Sequence, residues 1–275
     1  MIFNFRDVEL YYEIYGEGVP IIMIHGCKPD HRLMKGCMEP IFNSIEGFFK
    51  RIYFDLPGMG MTKAQPWIIN SDNILEIILN FIDTIIPSQQ FIIAGESYGG
   101  YLARGIIKKR FSNVDGLLLI CPVAEPEHRK NTLPLSKVFE KDDSLLNSLS
   151  EEDRKQFEFI SVIQNANVWD RFKDDILPAL KIADTSFIDE RFSNSFSFSF
   201  NADNLENPYM KPVLIITGRQ DFIVGYQDIF KIIENYPRGS FVVLDKAGHN
   251  LQIEQVHLFN ELVKDWLKRL SEESV

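Results

Sequence analysis

The chain has 275 residues and a formal net charge of −10, with 29 Lys+Arg against 39 Asp+Glu. Its 45% hydrophobic and 25% charged residues can build a sizeable core, while the acidic balance disfavours nucleic acid and anionic membranes as partners. There is no Lys/Arg cluster beyond Lys108-Lys109-Arg110 and no apolar run of the ~18 residues that a membrane span needs, and the three cysteines (Cys27, Cys37, Cys121) are too scattered for a disulfide framework or a zinc site.

Met1 to Asp7 carries neither the basic region nor the apolar run of a signal peptide, so a reducing cytoplasmic location is expected. Phe3-Asn4-Phe5-Arg6 and Leu10 to Gly16 alternate in polarity and predict an antiparallel edge hairpin. Val19–Ile24, Lys50–Phe54, Phe91–Ala94 and Gly116–Ile120 are short runs apolar on both faces, as in strands covered on both sides of a mostly parallel sheet. Ile74, Ile77, Ile78, Phe81, Ile82 and Ile85 recur at three and four and predict a helix, and Tyr101 to Arg110 is helix-like.

The alternation breaks between about Pro122 and Pro212, a stretch rich in charge and helix formers. There Ser150 precedes Glu151-Glu152-Asp153 as an N-cap, and an alternating run follows later, Phe196-Ser197-Phe198-Ser199-Phe200. Strand patterns return at Val213–Thr217 and Ser240–Leu244, and Leu258, Leu262, Trp266 and Leu270 predict a C-terminal helix. The fold class is therefore α/β, with a core at 1–121 and 212–275 and a helical insertion at 122–211. Open α/β sheets hold ligands at the C-terminal edge of the strands, so the insertion is expected to act as a lid there.

Gly95-Glu96-Ser97-Tyr98-Gly99 lies between a predicted strand and a predicted helix. That is the context in which G-x-S-x-G holds a serine oxygen clear of the sheet on a turn too tight for neighbouring side chains. A serine nucleophile needs a base, and there are five histidines. His25 and His31 precede the serine, His128 opens the insertion and His257 sits in a helical pattern. His249, after the last strand and preceded by Gly248, is on a loop at the same sheet edge as Ser97. Asp221, after the penultimate strand, is placed to orient it, with Asp245, Glu125 and Glu127 as rivals. The backbone N–H groups of Cys27, after His25-Gly26, and of Tyr98 are candidate oxyanion donors.

Together His25-Gly26, Asp55-Leu56-Pro57-Gly58-Met59-Gly60, Gly95 to Gly100, Gly218-Arg219-Gln220-Asp221 and Gly248-His249 resemble the α/β-hydrolase fold superfamily. The resemblance implies a mostly parallel eight-stranded sheet flanked by helices, a helical cap after strand six, and the catalytic set Ser97, Asp221 and His249. It leaves the substrate open, since the superfamily includes esterases, thioesterases, aminopeptidases, C–C bond hydrolases and ligand receptors. Ser97 stands where epoxide hydrolases and dehalogenases of this fold carry aspartate, which disfavours those chemistries. Met59 replaces a frequent histidine, and Cys27-Lys28-Pro29 puts a cation near the entrance. The expected protein is a serine hydrolase that uses no cofactor and no metal, acts on a small-molecule, partly apolar ester, and lines its pocket with Phe157, Phe159, Trp169, Phe196, Phe198 and Phe200. The cap acids Glu151, Glu152, Asp153, Asp174 and Asp175 are expected to be solvated.

Overall fold

The predicted strands form, most of them extended by a residue or two. In the computed structural model, which describes residues 1–45, 47–124, 126, 132–192 and 195–273, β1 (Ile2–Phe5) and β2 (Val8–Tyr15) make the expected hairpin. β3 (Val19–Ile24), β4 (Phe49–Phe54), β5 (Phe91–Glu96) and β6 (Val114–Ile120) follow. After β6 come two short paired strands, β7 (Glu140–Lys141) and β8 (Ile163–Gln164), and then β9 (Val213–Gly218) and β10 (Gly239–Leu244). Eight of these form one sheet in the order β1-β2-β4-β3-β5-β6-β9-β10. It is antiparallel only at β1–β2 and β2–β4, and parallel from β4 to β10.

Parallel strands need crossovers, and helices supply most of them. α1 (His31–Phe42), α2 (Ser71–Ile85) and α3 (Tyr98–Arg110) each precede the next strand of the sheet. Asp30 caps α1 and Asn70 caps α2, each accepting a first-turn backbone N–H, from Arg32 and Asn73 respectively. Between β6 and β9 lie α4 (Asp143–Ser148), α5 (Glu151–Ile160), α6 (Ala166–Asp175), α7 (Leu177–Leu180) and a π-helical turn at Ser186–Phe192. Ser150 caps α5 by accepting from the Asp153 N–H, as expected. The chain closes with α8 (Gln227–Phe230), α9 (Leu251–Glu254) and α10 (Val256–Glu273).

Two details differ from the sequence pattern. The stripe that α10 buries is Phe259, Val263, Trp266, Leu267 and Leu270, which leaves Leu258 47% exposed on its flank. The side chain of Asp175 is only 17% exposed rather than solvated; it accepts from Arg171 Nε at 2.7 Å and packs against Gly36 of α1. Burial pushes its carboxyl up from the usual range, against the pull of Arg171. Asp153 also forms an ion pair, with Lys181 at 2.7 Å, while Glu151, Glu152 and Asp174 face solvent. Among the described residues no helix is long and apolar enough to cross a membrane.

Candidate active site

Because β5, β6, β9 and β10 run parallel and in register, their C-terminal ends lie side by side: Glu96 pairs with Ile120, Ile120 with Ile216, and Gly218 with Leu244. The loops that leave these ends carry Ser97, Asp221 and His249. Ser97 has φ 51° and ψ −115°, a left-handed conformation that costs a residue with a Cβ about 1–3 kcal/mol. Hydrogen bonds on every side impose it. Its N–H donates to the Ile120 carbonyl at 2.9 Å, and its own carbonyl accepts from Gly100 (3.1 Å), Tyr101 (3.3 Å) and Val123 (3.0 Å). Glycine is required on either side, since a Cβ at Gly95 would overlap the Gly99 carbonyl and one at Gly99 would overlap that of Ile24.

His249 Nε2 lies 3.0 Å from Ser97 Oγ, and its Nδ1 lies 2.9 Å from Asp221 Oδ2. The other Asp221 oxygen accepts from the Ile223 (2.9 Å) and Val224 (3.1 Å) N–H groups, so the carboxylate is held at both ends. All three side chains are buried. A neutral His249 that donates from Nδ1 to Asp221 presents a bare Nε2 to the serine hydroxyl, the arrangement that lets Nε2 take the Ser97 proton. Asp245, a rival for Asp221, instead accepts from Gln220 Nε2 at 3.2 Å. The other rivals, Glu125 and Glu127, and also His128, lie outside the described residues.

The remaining histidines take other places. Leu56 N–H donates to His25 Nε2 at 2.9 Å, so the His25 proton is on Nδ1, which donates to the Gly26 carbonyl at 2.7 Å. His25 thus braces the loop that carries Cys27, and burial holds its pKa below the usual imidazole value, keeping it neutral. His31 Nδ1 and its backbone N–H both reach Asp55 Oδ1, at 2.7 and 2.9 Å, while Asp55 Oδ2 accepts from the Met61 N–H at 2.8 Å. His257 is exposed on α10. Two sets of three side chains among the described residues bring metal-ligand atoms within 4.8 Å of one another: Cys121, Asp221 and His249, and Asp30, His31 and Asp55. In both, the carboxylate and imidazole atoms are already engaged in protein hydrogen bonds.

Several positioning groups escaped the sequence reading. Gln220 laces the two loops together: its N–H donates to the Ala247 carbonyl (2.9 Å) and its Oε1 accepts from the Ala247 N–H (3.0 Å). Glu254, on α9, is buried and accepts from Gly248 N–H at 2.6 Å through Oε2 and from Val162 N–H at 2.7 Å through Oε1. One carboxyl therefore joins the His249 loop to the segment after α5. Burial pushes it up to about 7, against the pull of the backbone donors. Glu254→Ala would strip two buried N–H groups of their acceptor, at about 1–3 kcal/mol each. A loss of ~2–6 kcal/mol is expected in denaturant unfolding, and an unchanged midpoint would contradict this role.

A cavity of about 370 Å³ opens over Ser97 and His249. Phe159 and Phe196 line it as expected, but so does Phe172, which was not singled out. Phe157 and Trp169 instead pack on one another inside the insertion, with ring centroids 5.2 Å apart, and Phe198 stacks on Tyr101 at 4.4 Å, with Phe200 behind it. Residues 196–200 form no strand, and Phe198 and Phe200 lie on the flank of α3, against Gly105 and under Lys109 respectively. Lys28 does reach the cavity, but it pairs with Asp189 of the insertion at 3.0 Å.

The model of the family described as serine aminopeptidase, S33, matches residues 47–256. This chain belongs to that family, within the α/β-hydrolase superfamily. As an α/β-hydrolase it is 34% identical to an α/β superfamily hydrolase from Oenococcus oeni PSU-1, with TM-score 0.87 and 96% of each chain covered. It is 23% identical to the pimeloyl-[acyl-carrier protein] methyl ester esterase of Legionella pneumophila (strain Corby), over 95% of this chain and 100% of that protein. A 2-hydroxy-6-oxononadienedioate/2-hydroxy-6-oxononatrienedioate hydrolase of Pseudomonas putida is 22% identical over 95% of this chain and 92% of its own length. The α/β-hydrolase described above is therefore a hydrolytic enzyme.

Proposed function

We propose that the protein cleaves small to medium carboxylic esters through an acyl-enzyme on Ser97, and that it uses no cofactor. The observation that carries this reading is the unbroken hydrogen-bond chain from Ser97 Oγ through His249 to Asp221 at the floor of the cavity. His249 Nε2 takes the Ser97 proton as Oγ attacks the carbonyl carbon, and the carbonyl electron pair moves onto the oxygen. The N–H groups of Cys27 and Tyr98 hold that oxyanion. Collapse expels the alcohol, protonated by His249, and water activated by the same imidazole hydrolyses the acyl-enzyme.

Residues 122–211 act as the cap of this site. Rings from that segment, Phe159, Phe172 and Phe196, give the cavity its apolar wall and favour an apolar acyl or alkoxy group. The esterase relative supports ester cleavage, and the oxononadienedioate hydrolase shows why C–C cleavage by the same three residues is the competing reading. Incubation with a fluorophosphonate should add one adduct to the intact mass, mapped to Ser97 by peptide digestion, and phenyl esters of increasing acyl length should be turned over. An adduct with no ester turnover would favour the C–C hydrolase reading. No adduct in a folded sample would favour a ligand receptor.

A further inference from the structure

Glu96 immediately precedes Ser97 and is 2% exposed. Its Oε1 lies 3.4 Å from His249 Nε2, the same nitrogen that faces Ser97 Oγ. Its Oε2 lies against the Gly26 backbone, where a Cβ would overlap it, and makes no well-formed hydrogen bond among the described residues. No lysine or arginine among those residues forms an ion pair with it. A buried carboxylate without a cation is costly, and among the described residues the basic group that pairs with Glu96 is an imidazole that becomes cationic only during the reaction.

Building on the Ser97–His249–Asp221 reading, we propose that Glu96 is a catalytic residue, the second carboxylate of the His249 imidazolium, and that it sets the pH range of activity. When the Ser97 proton moves to Nε2, positive charge appears between Glu96 Oε1 on one side and Asp221 Oδ2, 2.9 Å from Nδ1, on the other. Ionised Glu96 stabilises that state. Protonated Glu96 does not, and its O–H can donate to Nε2 in competition with Ser97.

The setting supports a titration within the working range. Burial pushes Glu96 up to about 7, against the pull of His249 and with a further push from Asp221. Among the described residues Glu96 also acts on the thiols of Cys37 on α1 and of Cys121 after β6, and it shares its cavity with Cys27, Lys28, Tyr98 and Asp189. Burial raises Cys37 and Cys121 and keeps them neutral thiols. Glu96 and His249 therefore lose their protons as a coupled pair. The form with ionised Glu96 and neutral His249 is the most active, so activity rises as pH rises through that loss.

The test measures kcat and KM for a phenyl ester, and the rate of fluorophosphonate labelling, from about pH 5 to pH 9 in wild type, Glu96→Gln and Glu96→Asp. Without the negative charge the imidazolium is disfavoured, so Glu96→Gln should move the acidic midpoint down by about one pH unit and lower the kcat plateau roughly tenfold. KM should stay near the wild-type value, and Glu96→Asp should restore part of both effects. A midpoint that does not move in Glu96→Gln would overturn the proposal, since a packing role lowers the plateau alone. A loss confined to KM would overturn it too, making Glu96 a substrate-binding group. If Glu96→Gln does not fold, Glu96→Ala takes its place, and a midpoint that does not move in it is the overturning result. Failure of the underlying reading looks different: wild type would form no Ser97 adduct at any pH.

Discussion

Ser97→Ala should abolish ester turnover while leaving the fold intact. The side chain carries the only atom that forms the acyl bond in the proposed reaction, so kcat should fall by about a million-fold, toward the residual rate that oxyanion binding alone supports. The fold should tolerate the change because alanine keeps the Cβ: the φ of 51° costs it much what it costs serine, and the hydrogen bonds that impose the turn are backbone bonds. The hydroxyl removed contacts His249 at 3.0 Å, so the site loses one side-chain hydrogen bond and little packing. Steady-state rates together with near-UV circular dichroism would check both halves. Residual turnover above about one per cent of wild type, with native spectra, would remove Ser97 from the nucleophile role.

Asp221→Asn is expected to cost about 10⁴ in kcat, although it is nearly isosteric. The reason lies in how the carboxylate is held. Oδ1 accepts from two backbone N–H groups, at 2.9 and 3.1 Å, and Oδ2 faces His249 Nδ1. An asparagine has one acceptor oxygen, and the two fixed N–H donors claim it. Its NH₂ then faces Nδ1 and can only donate, which drives the imidazole proton to Nε2. The tautomer facing Ser97 is then the wrong one to accept a proton. Fluorophosphonate labelling should slow by a similar factor, because it depends on the same base. A near-normal rate would redirect attention to Asp245, whose present bond to Gln220 would have to be exchanged for one to His249.

How much of this was legible beforehand differs by residue. Val19–Ile24 was readable to the residue, because an apolar run bounded by turn residues is a local signal. That Ser97, Asp221 and His249 come together was readable because each stands beyond a strand, and parallel strands deliver such positions to one edge. Leu258 was misplaced because i, i+4 spacing gives the phase of a stripe only to within about one residue when neighbouring positions are also apolar. The rings of the 196–200 run were assigned to the pocket, yet only Phe196 reaches it, since the run forms no strand and its alternation therefore does not hold the three rings on one face.

Glu96, Gln220 and Glu254 show the limit more sharply. Glu96 and Gln220 lie in segments the sequence had already marked and Glu254 in none, but nothing local separates a solvated polar side chain from a buried one. Glu254 matters because Val162, on a separate segment, brings its N–H to the same carboxyl as Gly248. Glu96 matters because Gly26 and His249, from two other loops, close around it. By itself the sequence determined the strands, the tight turn at Ser97 and the placing of Ser97, Asp221 and His249 beyond strands of one sheet edge, because these depend on residue type and short-range spacing. Only the tertiary structure decided which carboxyls lost their water, which rings faced the cavity and which charge stands beside His249 Nε2, because desolvation and proximity arise only when distant segments pack together.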